Sequence, residues 1–216
     1  MTIAELQQAV STPADGQWGP ASKAALLAFF VNTSAPAVGP AEIAAFAARL
    51  GCSPAQLAAV GEVESSKSGF DGSGRPKILF ERHFFHRLTD GRWSPAIFSD
   101  PTPGGYSVSS WDKLAAACGR APDAAFASAS WGKFQVMGAH WHVLGYASPF
   151  ELAASMRAGE VAHYELLARF IEANGLADEL RRLSADPEDC RAFARAYNGS
   201  GYERFAYHTK LAERMA

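Results

Sequence analysis

Residues 40–66 read PAEIAAFAARLGCSPAQLAAVGEVESS, and this stretch sets the fold class. Pro40 suits a first helical position, the following residues are amphipathic to Leu50, and Gly51 is a stop signal. Ser53 then caps a second helix that opens on Pro54 and runs to about Ser65. At about 100° per residue, Leu57, Val60 and Val63 share one apolar face, Glu64 lies about 40° from its centre, and Glu62 lies near the opposite side. Glu62 is therefore expected in solvent. Glu64 is expected to face the core, at the C-terminal end of a helix that opens into a glycine-rich loop. Desolvation and the negative end of the helix dipole both raise the pKa of such a carboxyl. A general acid needs that property, since it must hold a proton to give. Pairing with Arg75, Arg82 or Arg87 is the structural alternative.

Outward from this stretch the chain stays mainly α. Upstream, IAELQQAV and ASKAALLAFF read as two helices around the turn STPADGQWGP, with Pro20 at a first helical position. SAPAVGP, residues 34–40, is the linker. Two domains are expected: a small helical segment at 1–34 and a catalytic domain at 35–216. Downstream, Gly69, Gly72, Gly74, Pro76, Pro95, Pro101, Pro103, Gly104 and Gly105 break residues 67–109 into loops and a small hairpin. The one ordered element expected there is KILFERHFFHRL. Helices return from Ser110, the clearest from Ser155 to Ala173 before Asn174-Gly175, with two more near 187–197 and 204–215.

Composition excludes several classes. The chain has 216 residues, 48% hydrophobic and 19% charged, as in a globular core rather than a disordered chain. Its 20 Lys and Arg against 22 Asp and Glu give a formal net charge of −2, unlike a nucleic-acid binder. Cys52, Cys118 and Cys190 are odd in number and lack CxxC spacing, so neither a disulfide framework nor structural zinc is expected. The pairs His83/His86 and His140/His142 lack a matching third ligand, and no metal or cofactor is expected. No apolar run approaches membrane-spanning length, and the N-terminus does not read as a signal peptide. Stable membrane insertion is not expected.

Glu81, among Phe80, Phe84 and Phe85, needs a partner or a task. It is a candidate second carboxylate beside Glu64, or the partner of Arg82 or His83. SASWGKFQVMG offers Ser130, Trp131 and Gln135 as a substrate wall, or reads as an ordinary helix start. RAYNGSGY places Tyr197 and Asn198 just before a glycine break, with Tyr202 after it. Aromatic rings near such breaks suit pyranose stacking, and Trp93, Tyr106, Trp111, Trp141 and Tyr207 are also available.

The blocks EVESSKSGF, RPKILFERHFFHRL, PGGYS, SASWGKFQVMG and RAYNGSGY with the closing Tyr207 to Ala212, in this order, resemble the N-acetylmuramidase family of modular bacteriophage endolysins over residues 40–216. The same blocks are similar to those of the wider lysozyme superfamily. The resemblance implies a lysozyme-like α-helical domain cutting the β-1,4 bond between N-acetylmuramic acid and N-acetylglucosamine, with Glu64 as catalytic acid. Glu81 matches the glutamate of the LFERH block. LQQAV, DGQWGP and ALLAFF resemble part of a peptidoglycan-binding module, with its third helix absent or supplied by 40–50. Two helices this small hardly bury a core alone, so they are expected to pack on the catalytic domain.

Three readings follow. The first is a muramidase holding glycan between residues 67–109 and the helical part, where Ser130, Trp131, Gln135, Tyr197, Asn198 and Tyr202 bind substrate. The second is a lytic transglycosylase using Glu64 to give 1,6-anhydro products. The third is a catalytically inactive wall-binding protein. The resemblance further implies bacterial peptidoglycan as partner, a monomer, synthesis in a host cytoplasm, and action at the periplasm or cell wall after release by a holin.

Overall fold

A computed structural model describes residues 1–64, 68–93 and 109–216, except for the side chain of Glu64. In chain order the helices begin with α1 (Ile3–Ala9), α2 (Pro20–Phe29), α3 (Pro40–Leu50) and α4 (Pro54–Glu64). Strand β1 (Ile78–Phe80), α5 (Arg82–Leu88), α6 (Ser110–Cys118) and α7 (Pro122–Ala127) follow. Then come β2 (Ala129–Trp131), β3 (Val136–Met137), α8 (Pro149–Ser155) and α9 (Glu160–Ala173). The chain closes with α10 (Ala177–Arg181), α11 (Pro187–Asn198) and α12 (Tyr207–Met215). Among the described residues no single helix is long and apolar enough to cross a membrane. The chain forms two compact units, one of Met1–Ala35 with Phe70–Ala158, the other of Pro36–Gly69 with Gly159–Ala216.

In the first unit α1 and α2 are tied by one buried side chain. Gln7 Nε2 donates to Ser22 Oγ at 2.9 Å, Asp15 Oδ1 at 2.8 Å and the Gln17 carbonyl at 3.0 Å. Its Oε1 accepts from the Gly16 N–H at 2.8 Å, which holds the Asp-Gly turn. The end of α2 delivers Phe30, fully buried, against Trp111 (ring centroids 4.8 Å), Trp131 (5.8 Å) and Phe126 (6.2 Å). The two small helices thus complete a core built mostly from residues 70–158. A three-stranded antiparallel sheet, in the order β1-β2-β3, pairs Leu79 with Ser130 and Trp131 with Val136. SASWGKFQVMG is therefore a hairpin, not a helix start. Its loop is turned by Gly132 and Gln135, both with positive φ.

In the second unit α3 ends where expected, with Gly51 at φ +68 accommodating the left-handed stop. The N-terminus of α4 is closed by a reciprocal pair: Gln56 N–H donates to Ser53 Oγ at 3.2 Å, and Ser53 N–H to Gln56 Oε1 at 2.9 Å. Leu57 and Val60 of α4 are buried, and α4 packs against α3 and α12. The helix expected over 155–173 is instead broken. A 3-10 turn covers Met156–Ala158, and Gly159 at φ +141 separates it from α9. That φ is open essentially to glycine alone, and the Glu160 N–H then donates to the Pro36 carbonyl at 2.9 Å. The short α10 is an addition that periodicity did not reveal. Cys118 and Cys190 are buried and Cys52 is half-buried, and burial pushes all three thiols up.

Candidate active site

In the second unit, the buried Leu57 and Val60 put the inner face of α4 where the periodicity set it. Glu62 is 60% exposed and meets Arg214 Nε at 3.3 Å, so it faces solvent. Glu64 is the last residue of α4, and its side chain lies outside the described residues. Where the chain is next described, the Gly69 N–H donates to Glu160 Oε1 at 2.8 Å in a buried contact. Glu160 opens α9 and is itself buried. Burial first, and then the charges of Glu160 and Glu62, push the Tyr164 phenol up to about 12. Sequence reading missed Glu160, because its place depends on the helix break at Gly159.

Two of the expected binding residues meet beside α4. Asn198, exposed at the end of α11, and Tyr202 line a cavity of about 230 Å³ together with Val63, Gly201, Phe205 and Tyr207. Tyr197 stands behind them, stacked on Phe193 (5.5 Å) and Tyr207 (6.2 Å) and edge-on to Phe170 (5.6 Å). The Tyr202 hydroxyl donates to Glu203 Oε1 at 3.0 Å, and Arg191 Nη1 reaches the same oxygen at 3.0 Å. Phe205 was not singled out from sequence. An aromatic residue following a Gly-Ser-Gly break was the available signal.

The first unit holds the other candidates. Glu81 precedes α5, and its N–H donates to the Ser128 carbonyl at 2.8 Å. Its side chain is 21% exposed, with Oε2 3.4 Å from His83 Nδ1. Of the arginines weighed against Glu64, Arg75 pairs with Asp71 at 3.4 Å and Arg87 lies over the Phe84 ring at 4.4 Å. Ser130 and Gln135 come together across the hairpin, Ser130 Oγ donating to Gln135 Oε1 at 2.7 Å. Gln135 Nε2 donates to the Gly132 carbonyl at 2.8 Å, so the hairpin fixes both ends of this exposed amide.

Trp131 is a correction. It is fully buried, its Nε1 donates to the Phe126 carbonyl at 3.1 Å, and its ring packs on Phe30 and Trp111. A ring so enclosed offers no face to a sugar. Trp111 and Tyr207 are likewise buried, whereas Trp93 and Trp141 are half-buried. Tyr106, the PGGYS block and the rest of 94–108 lie outside the described residues, as do 65–67. Among the described residues no group of three His, Cys, Asp or Glu side chains could hold a metal ion.

The family model described as "Muramidase: N-acetylmuramidase" matches residues 53–216. Among solved structures, a Burkholderia AP3 phage endolysin is similar at 28% identity with a TM-score of 0.73, over 99% of this chain and 92% of that one. A search of the curated proteins gave no match. The mainly α architecture is thus that of a lysozyme-like endolysin. The matched region contains α4 and its terminal Glu64, the β2–β3 hairpin and the cavity lined by Asn198 and Tyr202. The chain belongs to the N-acetylmuramidase family, the glycoside hydrolases of peptidoglycan.

Proposed function

We propose that the protein hydrolyses the β-1,4 bond between N-acetylmuramic acid and N-acetylglucosamine, with Glu64 as general acid. The observation that carries this reading is the orientation of α4. Its Leu57 and Val60 face is buried while Glu62 is solvated, the arrangement that the inward reading of Glu64 requires. Glu64 protonates the leaving O4 as the C1–O4 bond breaks, through a transition state of oxocarbenium character. Water adds at C1, and its proton passes to a second carboxylate, for which Glu81 is the candidate. Gln135, Tyr197, Asn198 and Tyr202 contact the glycan, and Ser130 holds the Gln135 amide in place.

In this reading residues 35–216 carry catalysis and 1–34 are the wall-binding-like segment. The same reading takes the protein as a monomer that is made in a host cytoplasm and reaches the wall after release by a holin. The deciding experiment is mass analysis of digested peptidoglycan, with Glu64→Gln as control. Reducing ends that carry one added water support hydrolysis. Products lighter by that water mean that the sugar's own hydroxyl closed the ring and the enzyme is a lytic transglycosylase. Binding without turnover by the unmutated protein marks an inactive wall-binding protein.

A further inference from the structure

Glu160 is a buried carboxylate that the mechanism above does not use. It is 7% exposed, and no Lys, Arg or His side chain among the described residues pairs with it. Burying an anion without a counter-cation is costly unless a strong hydrogen bond offsets it. The Gly69 N–H supplies that bond, donating to Oε1 at 2.8 Å in a charge-assisted contact. Glu160 is also the first residue of the 14-residue α9, whose positive end favours an anion.

The platform that carries it is fixed on several sides. Gly159, at φ +141, turns the chain so that the Glu160 N–H donates to the Pro36 carbonyl at 2.9 Å. Arg49 of α3 pairs with Glu165 and Glu172 of α9, at 2.7 and 2.6 Å. One turn beyond Glu160, the buried Tyr164 ring stacks on Phe46 of α3 at 6.1 Å. Burial, then Glu160, then Glu62 raise that phenol, so the Glu160 carboxylate and the last turn of α4 act on the same side chain.

We infer that Glu160 is a positioning residue for the proposed acid: it holds the Gly69 amide, and so restrains the chain that leaves α4 at Glu64. This rests on the function proposed above and adds to it a residue that acts through the backbone. Gly69 stands five residues after Glu64, so the chain between them reaches at most about 18 Å. An anchor that near restrains the end of α4, and a shift of about 1 Å at a reacting group can cost on the order of 10²-fold in rate.

Three substitutions in the full chain separate the bond from the charge. Glu160→Ala removes both. Glu160→Asp keeps the charge but is one carbon too short for the Gly69 N–H. Glu160→Gln keeps the reach and the accepting oxygen but not the charge. The probe is a soluble tetrasaccharide of alternating N-acetylglucosamine and N-acetylmuramic acid. Its cleavage gives kcat, and its Kd is measured in a Glu64→Gln background. Urea unfolding checks the fold, and amide hydrogen exchange at Gly69 reads the anchor. Glu160→Ala and Glu160→Asp are expected to lower kcat by on the order of 10²-fold, at unchanged Kd and with faster Gly69 exchange. Glu160→Gln is expected to recover most of both losses. If Gly69 exchange rises while kcat per folded molecule stays at the parent's value, Glu160 only stabilises the fold; the inference fails and the hydrolase reading stands. If Glu160→Asp is active and Glu160→Gln is not, the carboxylate acts by its charge and the inference is overturned. A parent that binds the probe without cleaving it overturns the hydrolase reading and the inference with it.

Discussion

Two glutamates two residues apart on α4 are expected to behave in opposite ways. Glu64→Gln keeps the size and polarity of the side chain but removes the proposed proton donor. Turnover of purified cell walls should fall by about 10²- to 10⁴-fold, with unchanged binding of the wall in a pull-down assay. Glu62→Gln breaks only the exposed pair with Arg214, in which both side chains are about half exposed or more. It should leave turnover unchanged and shift stability by less than about 1 kcal/mol, read by urea denaturation. Glu81→Gln should lower kcat without unfolding, because the carboxylate pairs with the exposed His83. Wild-type kcat in that variant would remove Glu81 from the mechanism. The face of α4 was legible because helical periodicity is local, so Leu57, Val60 and Glu62 reveal their directions from spacing alone. Trp131 was not. A tryptophan beside a glycine reads alike in a binding wall and in a core, and the residue that encloses it, Phe30, lies far upstream.

At the scale of elements, legibility followed the punctuation of the chain. Gly51 and Ser53-Pro54 mark the end of α3 and the start of α4, and the structure puts both boundaries there. The hairpin of β2 and β3 was hidden because strands this short carry no alternating pattern. β2 is held by pairing with β1, a partner remote in sequence, and β3 by pairing with β2. The helix expected over 155–173 failed at Gly159, since one glycine inside an otherwise helical pattern is tolerated more often than it breaks a helix. Here its conformation is set from outside, by Pro36. A Cβ at 159 would lie 2.7 Å from Pro36 Cγ and 2.9 Å from the Pro36 oxygen. Gly159→Ala should therefore cost about 1–3 kcal/mol in backbone strain alone, with the clash added. Gly175, at φ +66 with open space around its missing Cβ, is the matched control. Gly175→Ala should cost about 1–2 kcal/mol. Urea midpoints for the two variants measure the difference, and equal midpoints would remove the role assigned to Pro36.

At the scale of the whole molecule, the question is what the first helices are for. Residues 1–34 resemble part of a wall-binding module, yet Met1–Ala35 belongs to the same compact unit as Phe70–Ala158. Leu6, Leu26 and Phe30 are fully buried, Phe30 among Trp111, Phe126 and Trp131. Trp18 Nε1 donates to the Ala115 carbonyl at 2.6 Å, and its ring occupies the space that a Cβ on Gly119 would need. Deleting 1–34 would therefore uncover a tryptophan-lined core instead of releasing an intact enzyme. Phe30→Ala is the milder form of that deletion and should cost about 3–5 kcal/mol. The truncated chain should unfold at a lower denaturant concentration than the full chain and bind a hydrophobic dye. The isolated 1–34 peptide should give the circular dichroism of a largely unfolded chain, since it keeps the Gln7 contacts but loses the packing of Phe30 on Trp111, Phe126 and Trp131. A truncated protein that unfolds at the parent's midpoint and clears cell walls at the parent's rate would reverse the conclusion. Residues 1–34 would then be a separate appendage whose packing adds nothing to the catalytic part.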